Sequence, residues 1–197
     1  MVTKQSPLNR QPTKLDYSSP TQFRVKIHQL PKVEWFVVAA NVPSITLTEI
    51  SFDNPLKNIP MPGDKLTYED LTITFIIDEN LENYIEIHNW MTGLGFPKDR
   101  SQFREFRSAT SNTPTGRSAS QSSDIGDVKS ATPDRGLYSD ATLTVLTNKN
   151  NPVTEIRFSD CFPTAVGALA YTQNATDVDY LTTDITFKYK LYEIALL

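Results

Sequence analysis

A single cysteine in 197 residues leaves no partner for an intrachain disulfide, and two histidines offer little for metal or acid–base chemistry. Cys161 sits in the run Ile156–Phe162 and is expected to be a small buried residue, because a reactive thiol needs a neighbouring cation and base. No apolar run approaches the roughly 18 residues that span a bilayer. The opening MVTKQSPLNRQPTKLDYSSP lacks the apolar stretch of a secretory signal, so a protein kept in a cytoplasm, or in a particle assembled there, is expected. An excess of positive charge is absent too. The net charge of −4 and the pI near 5.2 argue against binding nucleic acid by neutralising phosphates.

The patterns that carry catalysis are also missing. There is no G-x-S-x-G elbow, H-E-x-x-H helix, glycine-rich phosphate loop or paired C-x-x-C. His28 alternates with core positions of a strand and is expected in solvent, whereas His88 shares a helical apolar stripe and is expected half-buried. Asp78 and Glu79 are adjacent carboxylates whose side chains diverge, which suits a helix N-terminus better than the paired acids of a glycosidase. Trp35 lies in a run that reads as buried, and Trp90 is expected at a helix–sheet or subunit contact rather than in a sugar-stacking site. Arg100, Arg104 and Arg107, with Phe103 and Phe106 between them, read as a solvated loop edge, with a partner-binding segment as the alternative. Asn174-Ala175-Thr176 matches a glycosylation acceptor, which has no meaning without a secretory route. No catalytic residue, cofactor or metal ligand is assigned, and the chain is not expected to be an enzyme.

With 39% hydrophobic and 21% charged residues the chain is globular, and its length suits one domain with a genuine core. Residues 1–20, with Pro7, Pro12 and Pro20 among polar neighbours, read as an arm, either frayed or ordered only on a neighbouring subunit. From Phe23 the period is two: Phe23, Val25 and Ile27 alternate with Arg24, Lys26 and His28. Val33–Ala40 is a continuous apolar run, consistent with a strand buried on both faces. Ser44–Phe52 is a strand, Asp53-Asn54-Pro55 a turn, and Leu56–Ile59 a return strand ended by Pro60, Pro62 and Gly63. Tyr68–Ile77 follows with Leu71, Ile73, Phe75 and Ile77 toward the core.

The spacing then predicts a helix with Leu81, Tyr84, Ile85, His88 and Met91 on one face, capped by Asp78 or Asn80 and stopped by Gly93, Gly95 and Pro97. It is the one helix the pattern supports. Between Ser108 and Pro133, 11 of 26 residues are Ser or Thr and no core position recurs, which marks a mobile insertion within the domain. Asp140–Thr147, Val153–Phe158 and Thr182–Ile194 complete some seven strands. The fold class is mainly β (α+β): an antiparallel β-sandwich or barrel with one flanking α-helix, in a single domain over residues 21–197.

Taken in order, these segments resemble the tail tube proteins of contractile-tailed bacteriophages. The resemblance runs from FRVKI through WFVVAANVPSITLTEISF. It is most specific in NIPMPGDKLTYEDLTITFIIDENLENYIEIHNWM, and it returns at FPTAVGALAY and the last alternating strand. It implies a tail-tube-like protomer that assembles into stacked hexameric rings, lining a channel through which DNA passes without specific binding. The implied partners are further copies of itself, the tail sheath and tape-measure proteins, and baseplate and neck proteins. The implied location is the virion tail, assembled in the host cytoplasm. An acidic chain suits a wall past which DNA slides. Phe52, Asp53, Leu56, Lys57, Ile59 and Met61 are implied to form the inter-ring contact, on the hairpin that reaches the next ring in this family. The arm and the Ser/Thr-rich insertion depart from a short tube protein. A specialised ring of the same fold at the baseplate (tube initiator) or neck (terminator) is therefore the alternative. A carbohydrate- or host-binding β-sandwich is the alternative of another class.

Overall fold

A computed structural model describes residues 16–109, 137–173 and 180–197. Nearly all of the expected arm, the Ser/Thr-rich segment from residue 110 onward and the Asn174-Ala175-Thr176 motif lie outside the described residues. Among the described residues nine strands and three helices follow one another. They are β1 (Phe23–Ile27), α1 (Pro31–Glu34), β2 (Val37–Ala40), β3 (Ile45–Phe52), β4 (Ile59–Tyr68), β5 (Leu71–Ile76), α2 (Glu82–Gly95), α3 (Arg100–Ala109), β6 (Ser139–Leu146), β7 (Pro152–Val166), β8 (Thr182–Lys188) and β9 (Leu191–Leu196).

The architecture turns on β7, which is 15 residues long and belongs to two sheets. Its first part lies between β6 and β9, while Phe162–Val166 pairs with β8, which continues to β5 and β2; β1 extends the other end beyond β6. Every pairing is antiparallel. The change of sheet happens at Asp160, whose φ of 55° lies in the left-handed region, which Asp tolerates better than branched residues do. Opposite it, the register with β6 slips between Ser139 and Ala141. On the other edge of β7 the chain breaks at Tyr189-Lys190, where the Lys190 N–H donates to the Ser159 carbonyl at 3.0 Å. Two neighbouring strands thus bend at one level, and bends of this kind make the corners of packed sheets. The expected strand Thr182–Ile194 is therefore two strands, β8 and β9.

Alternation decides which side chains meet inside. Val25, Ile27, Ala141, Leu143, Ile156 and Phe158 from one sheet join Leu71, Ile73, Phe75, Ile185 and Phe187 from the other in a single core. Cys161, at the bend, is fully buried among them, as expected from its run. Burial pushes its thiol up to about 12, so it is inert at neutral pH.

The helices differ most from the sequence reading. Val33–Ala40 is not one buried strand. Pro31 starts α1, Val33 is buried, and the chain becomes extended only at Val37. A short continuous apolar run does not by itself separate strand from helix, and the signal that does is proline at a helix start. Trp35, at the end of α1, is 86% exposed rather than buried.

In α2 the buried face is Asn83, Ile87, Trp90 and Gly93, rotated by one residue from the expected stripe. Ile85 and His88 are consequently exposed. Asn83 explains the rotation. Its amide donates to the Ile76 carbonyl at 2.8 Å and its oxygen accepts the Tyr84 N–H at 2.8 Å, so a polar side chain is drawn inside to tie the helix to the end of β5. Neither Asp78 nor Asn80 caps the helix: the cap position is Leu81, in the left-handed region at φ 58°. Gly93 lies within α2, which ends at Gly95 with Phe96 left-handed after it. Trp90 packs on Phe187 of β8 at a ring separation of 6.2 Å, the expected helix–sheet contact. The segment with Arg100, Arg104 and Arg107 is the helix α3, not a loop edge, and Phe103 leans on Phe96.

Candidate assembly interface

β3 and β4 form a two-stranded sheet apart from the sandwich. The sequence explains why they pair: β3 is rich in β-branched residues, β4 sets Ile59, Met61, Leu66 and Tyr68 opposite its apolar positions, and Asp53–Asn58 supplies the turn between them. Asn54 Oδ1 accepts the Leu56 N–H at 3.3 Å and shapes that turn. The return strand begins at Ile59 and runs on through Pro60, Pro62 and Gly63, where the sequence suggested it would end. Pro60 and Pro62 are tolerated because a two-stranded sheet has only edge strands.

Ile50 pairs with Met61 and Phe52 with Ile59, so four apolar side chains share one face near the tip. No β3 residue is buried, and Phe52, Ile50, Ile59 and Met61 are each about half exposed. Leu56, at the tip, is 94% exposed, and Asp53 and Lys57 stand beside it in solvent. The structure therefore brings the six sequence-derived residues together on one projecting element.

The hairpin is bent and firmly rooted. Its register shifts between Leu47 and Glu49, where Thr48 donates its hydroxyl to the Lys65 carbonyl at 3.0 Å. At that bulge a Cβ on Gly63 would lie 2.5 Å from the Thr48 carbonyl oxygen, so only glycine permits the close approach. At the base, Tyr68 meets the rings of Tyr189 and Tyr192, which also pack on the core residue Phe158. The Tyr189 hydroxyl donates to the Glu69 carbonyl at 2.8 Å, and the Tyr192 hydroxyl donates to the Pro43 carbonyl at 3.2 Å. Burial, and then the neighbouring Tyr192, push the Tyr189 phenol up to about 12. Asn41 holds the adjoining backbone through both ends of its amide, accepting from Thr72 and donating to Asp70, whose carboxylate pairs with Lys188. The strand bend at Tyr189-Lys190 thus doubles as the socket of the hairpin. Sequence reasoning missed this aromatic cluster, because Tyr68, Phe158, Tyr189 and Tyr192 meet only through the bend.

Elsewhere the surface offers little for chemistry. Among the described residues no group of three or more His, Cys, Asp and Glu side chains is placed to hold a metal ion. Among the same residues no helix is long and apolar enough to cross a membrane. His28 is exposed, as expected.

No family model matches the sequence, and no curated protein does. Solved structures do match in fold. The tube-terminating cap of the anti-feeding prophage aligns over 98% of this chain and 100% of its own, with a TM-score of 0.53 and 12% identity. A chain of the six-fold symmetrised baseplate of the same particle aligns over 93% of this chain and 97% of its own, with a TM-score of 0.53 and 9% identity. A sheath/tube terminator of an extracellular contractile injection system aligns over 92% of this chain and 99% of its own, at a TM-score of 0.49 and 13% identity. The chain has the tail-tube fold that the sequence resemblance implied.

Proposed function

We propose that this protein is a structural subunit of a contractile tail tube, assembling into stacked hexameric rings around a channel for DNA. The observation that carries the reading is the rooted, apolar, solvent-exposed β3–β4 hairpin on a fold shared with tube-end proteins. A hairpin held in place at its base while much of its apolar face lies in water gains little from its own protomer. Large exposed apolar surfaces of this kind mark protein contacts. Burying two of its aliphatic side chains against a neighbouring ring contributes roughly 3–6 kcal/mol per subunit before ordering costs. Within a ring, the unpaired edges of β1, β2 and β9 provide strands for adjoining copies, which removes the aggregation hazard of open edges. Leu191, Ile194 and Leu196 along β9 are exposed and apolar, in keeping with such a contact. The role is structural rather than catalytic. Sheath, tape-measure, baseplate and neck proteins of a virion tail are the corresponding partners.

A second reading is favoured by one observation. The two structures with TM-scores of 0.53 are a tube-terminating cap and a baseplate component, which supports a specialised end ring of the same fold as the alternative role. Electron microscopy of the purified full-length protein tests both. Stacked rings support the tube subunit, single rings the end ring, and a persistent monomer at high concentration refutes both. Replacing Phe52–Ile59 by a tight Asn-Gly turn is expected to leave rings intact and abolish stacking. A shortened variant that stacks like the parent refutes the inter-ring role of Phe52, Asp53, Leu56, Lys57, Ile59 and Met61.

A further inference from the structure

We propose that the hairpin tip of one copy seats in a groove beside Trp35 of the next copy, making the stacking contact head to tail. The inference rests on the ring reading above and names the surface that receives the hairpin. The groove, with a volume of about 300 Å³, is lined by Phe23, Arg24 and Val25 of β1 and by Glu34, Trp35 and Val37 around the start of β2.

Three features fit it to the hairpin. First, Leu56 at the tip and Trp35 in the groove are the two most exposed large apolar side chains among the described residues, at 94% and 86%. Each lacks in its own chain the apolar cover that the other supplies. Secondly, the groove carries one base and one acid, Arg24 and Glu34, and the tip carries one acid and one base, Asp53 and Lys57. Among the described residues none of these four has an ion-pair partner within the chain. Arg24 therefore matches Asp53 and Glu34 matches Lys57, which fixes orientation as well as attraction.

Thirdly, the two surfaces are different parts of the protomer, reached from opposite ends of β2. The groove lies at the start of β2, where Val37 pairs with Phe75, and the hairpin leaves after its end, where Ala40 pairs with Ile73. A surface that complements a different surface of a second copy makes a heterologous contact, which builds a stack where it repeats without closing.

Disulfide trapping in the full-length protein tests the seat. Buried Cys161 stays silent, so introduced thiols report alone. Chains carrying Lys57→Cys are mixed with chains carrying Glu34→Cys and oxidised mildly. A crosslinked dimer is expected from the mixture and not from either variant by itself. Separately, Leu56→Ser and Trp35→Ser are each expected to raise the concentration needed for stacking about tenfold, and the double variant little further, because the two side chains act as a unit. Absence of the crosslink, or a Trp35→Ser variant that stacks as the parent does, overturns the seat. If the hairpin variants alone fail to stack, the receiving surface lies elsewhere and the ring reading stands. If the parent never forms rings, both fall.

Discussion

β5 and β3 are both strands with alternating apolar residues, broken in β3 only by the bulge after Leu47, yet they meet opposite fates. In β5 Leu71, Ile73 and Phe75 are wholly buried; in β3 the corresponding Ile45, Leu47, Ile50 and Phe52 all remain about half exposed. The hairpin that β3 opens and the core strand are neighbours in the chain, with Tyr68 the last residue of β4 and Leu71 the first of β5. Period-two patterning therefore reports a surface that must be covered, and says nothing of whether the cover comes from the same chain. In β5 it comes from the core that β1, β6 and β7 share with it. On the hairpin the described chain leaves about half of each of these β3 side chains uncovered.

Truncation on the buried side of this comparison is expected to have the largest effect. Trp90→Ala or Phe187→Ala empties a fully buried site and is expected to lower unfolding stability by roughly 3–5 kcal/mol in urea titration. A loss below about 1 kcal/mol would mean that α2 is not packed on β8 as described. The second test follows from Cys161. Its folded pKa lies above the unfolded value, so its contribution is fully present below about pH 9 and is lost as pH rises toward about 12. Stability is expected to fall over that window by up to about 1.4 kcal/mol per pH unit from this group. Tyr189, shifted in the same direction, adds to the fall at its upper end. Cys161→Ala is expected to flatten the slope, and an unchanged slope would place the thiol in water.

The junction of the two regions responds more mildly. Tyr189→Phe removes the hydroxyl bond to the Glu69 carbonyl, with an expected cost of about 1 kcal/mol. Hydrogen exchange is expected to accelerate at the base of the hairpin while the centre of β5 keeps its protection. Uniform acceleration of both would show that the hairpin is not separately rooted. The smallest stability change is expected at the hairpin itself. Ile50→Thr with Met61→Thr is expected to stay within about 0.5 kcal/mol of the parent in the isolated protomer, although it removes an apolar pair from the face proposed to stack. A large loss would show that the pair already has cover within the protomer.

The strands of the core were legible because period two survives in a single sequence: β1, β5, β6 and β8 fall where their alternation places them. The hairpin residues were legible as a turn between two apolar stretches, and the family resemblance made them the contact proposed above. Three things were not legible. The face of α2 depended on Asn83 finding the Ile76 carbonyl, a partner on another element. The exposure of Trp35 depended on α1 replacing the first half of an apolar run. The groove beside Trp35 draws on both β1 and β2, which lie in different sheets.

The sequence by itself determined the class of fold, the absence of a disulfide and the position of a polar-tipped apolar hairpin, because these follow from local pattern and composition. Only the tertiary structure decided which apolar faces remain uncovered. The bend at Asp160 and Tyr189-Lys190 turns two strands from one sheet into the other and gathers Tyr68, Phe158, Tyr189 and Tyr192 into a socket. That socket holds the β3–β4 hairpin clear of the core. Burial is a property of neighbours in space, and neighbours 120 residues apart in the chain, such as Glu69 and Tyr189, are set by the bend and not by any local pattern.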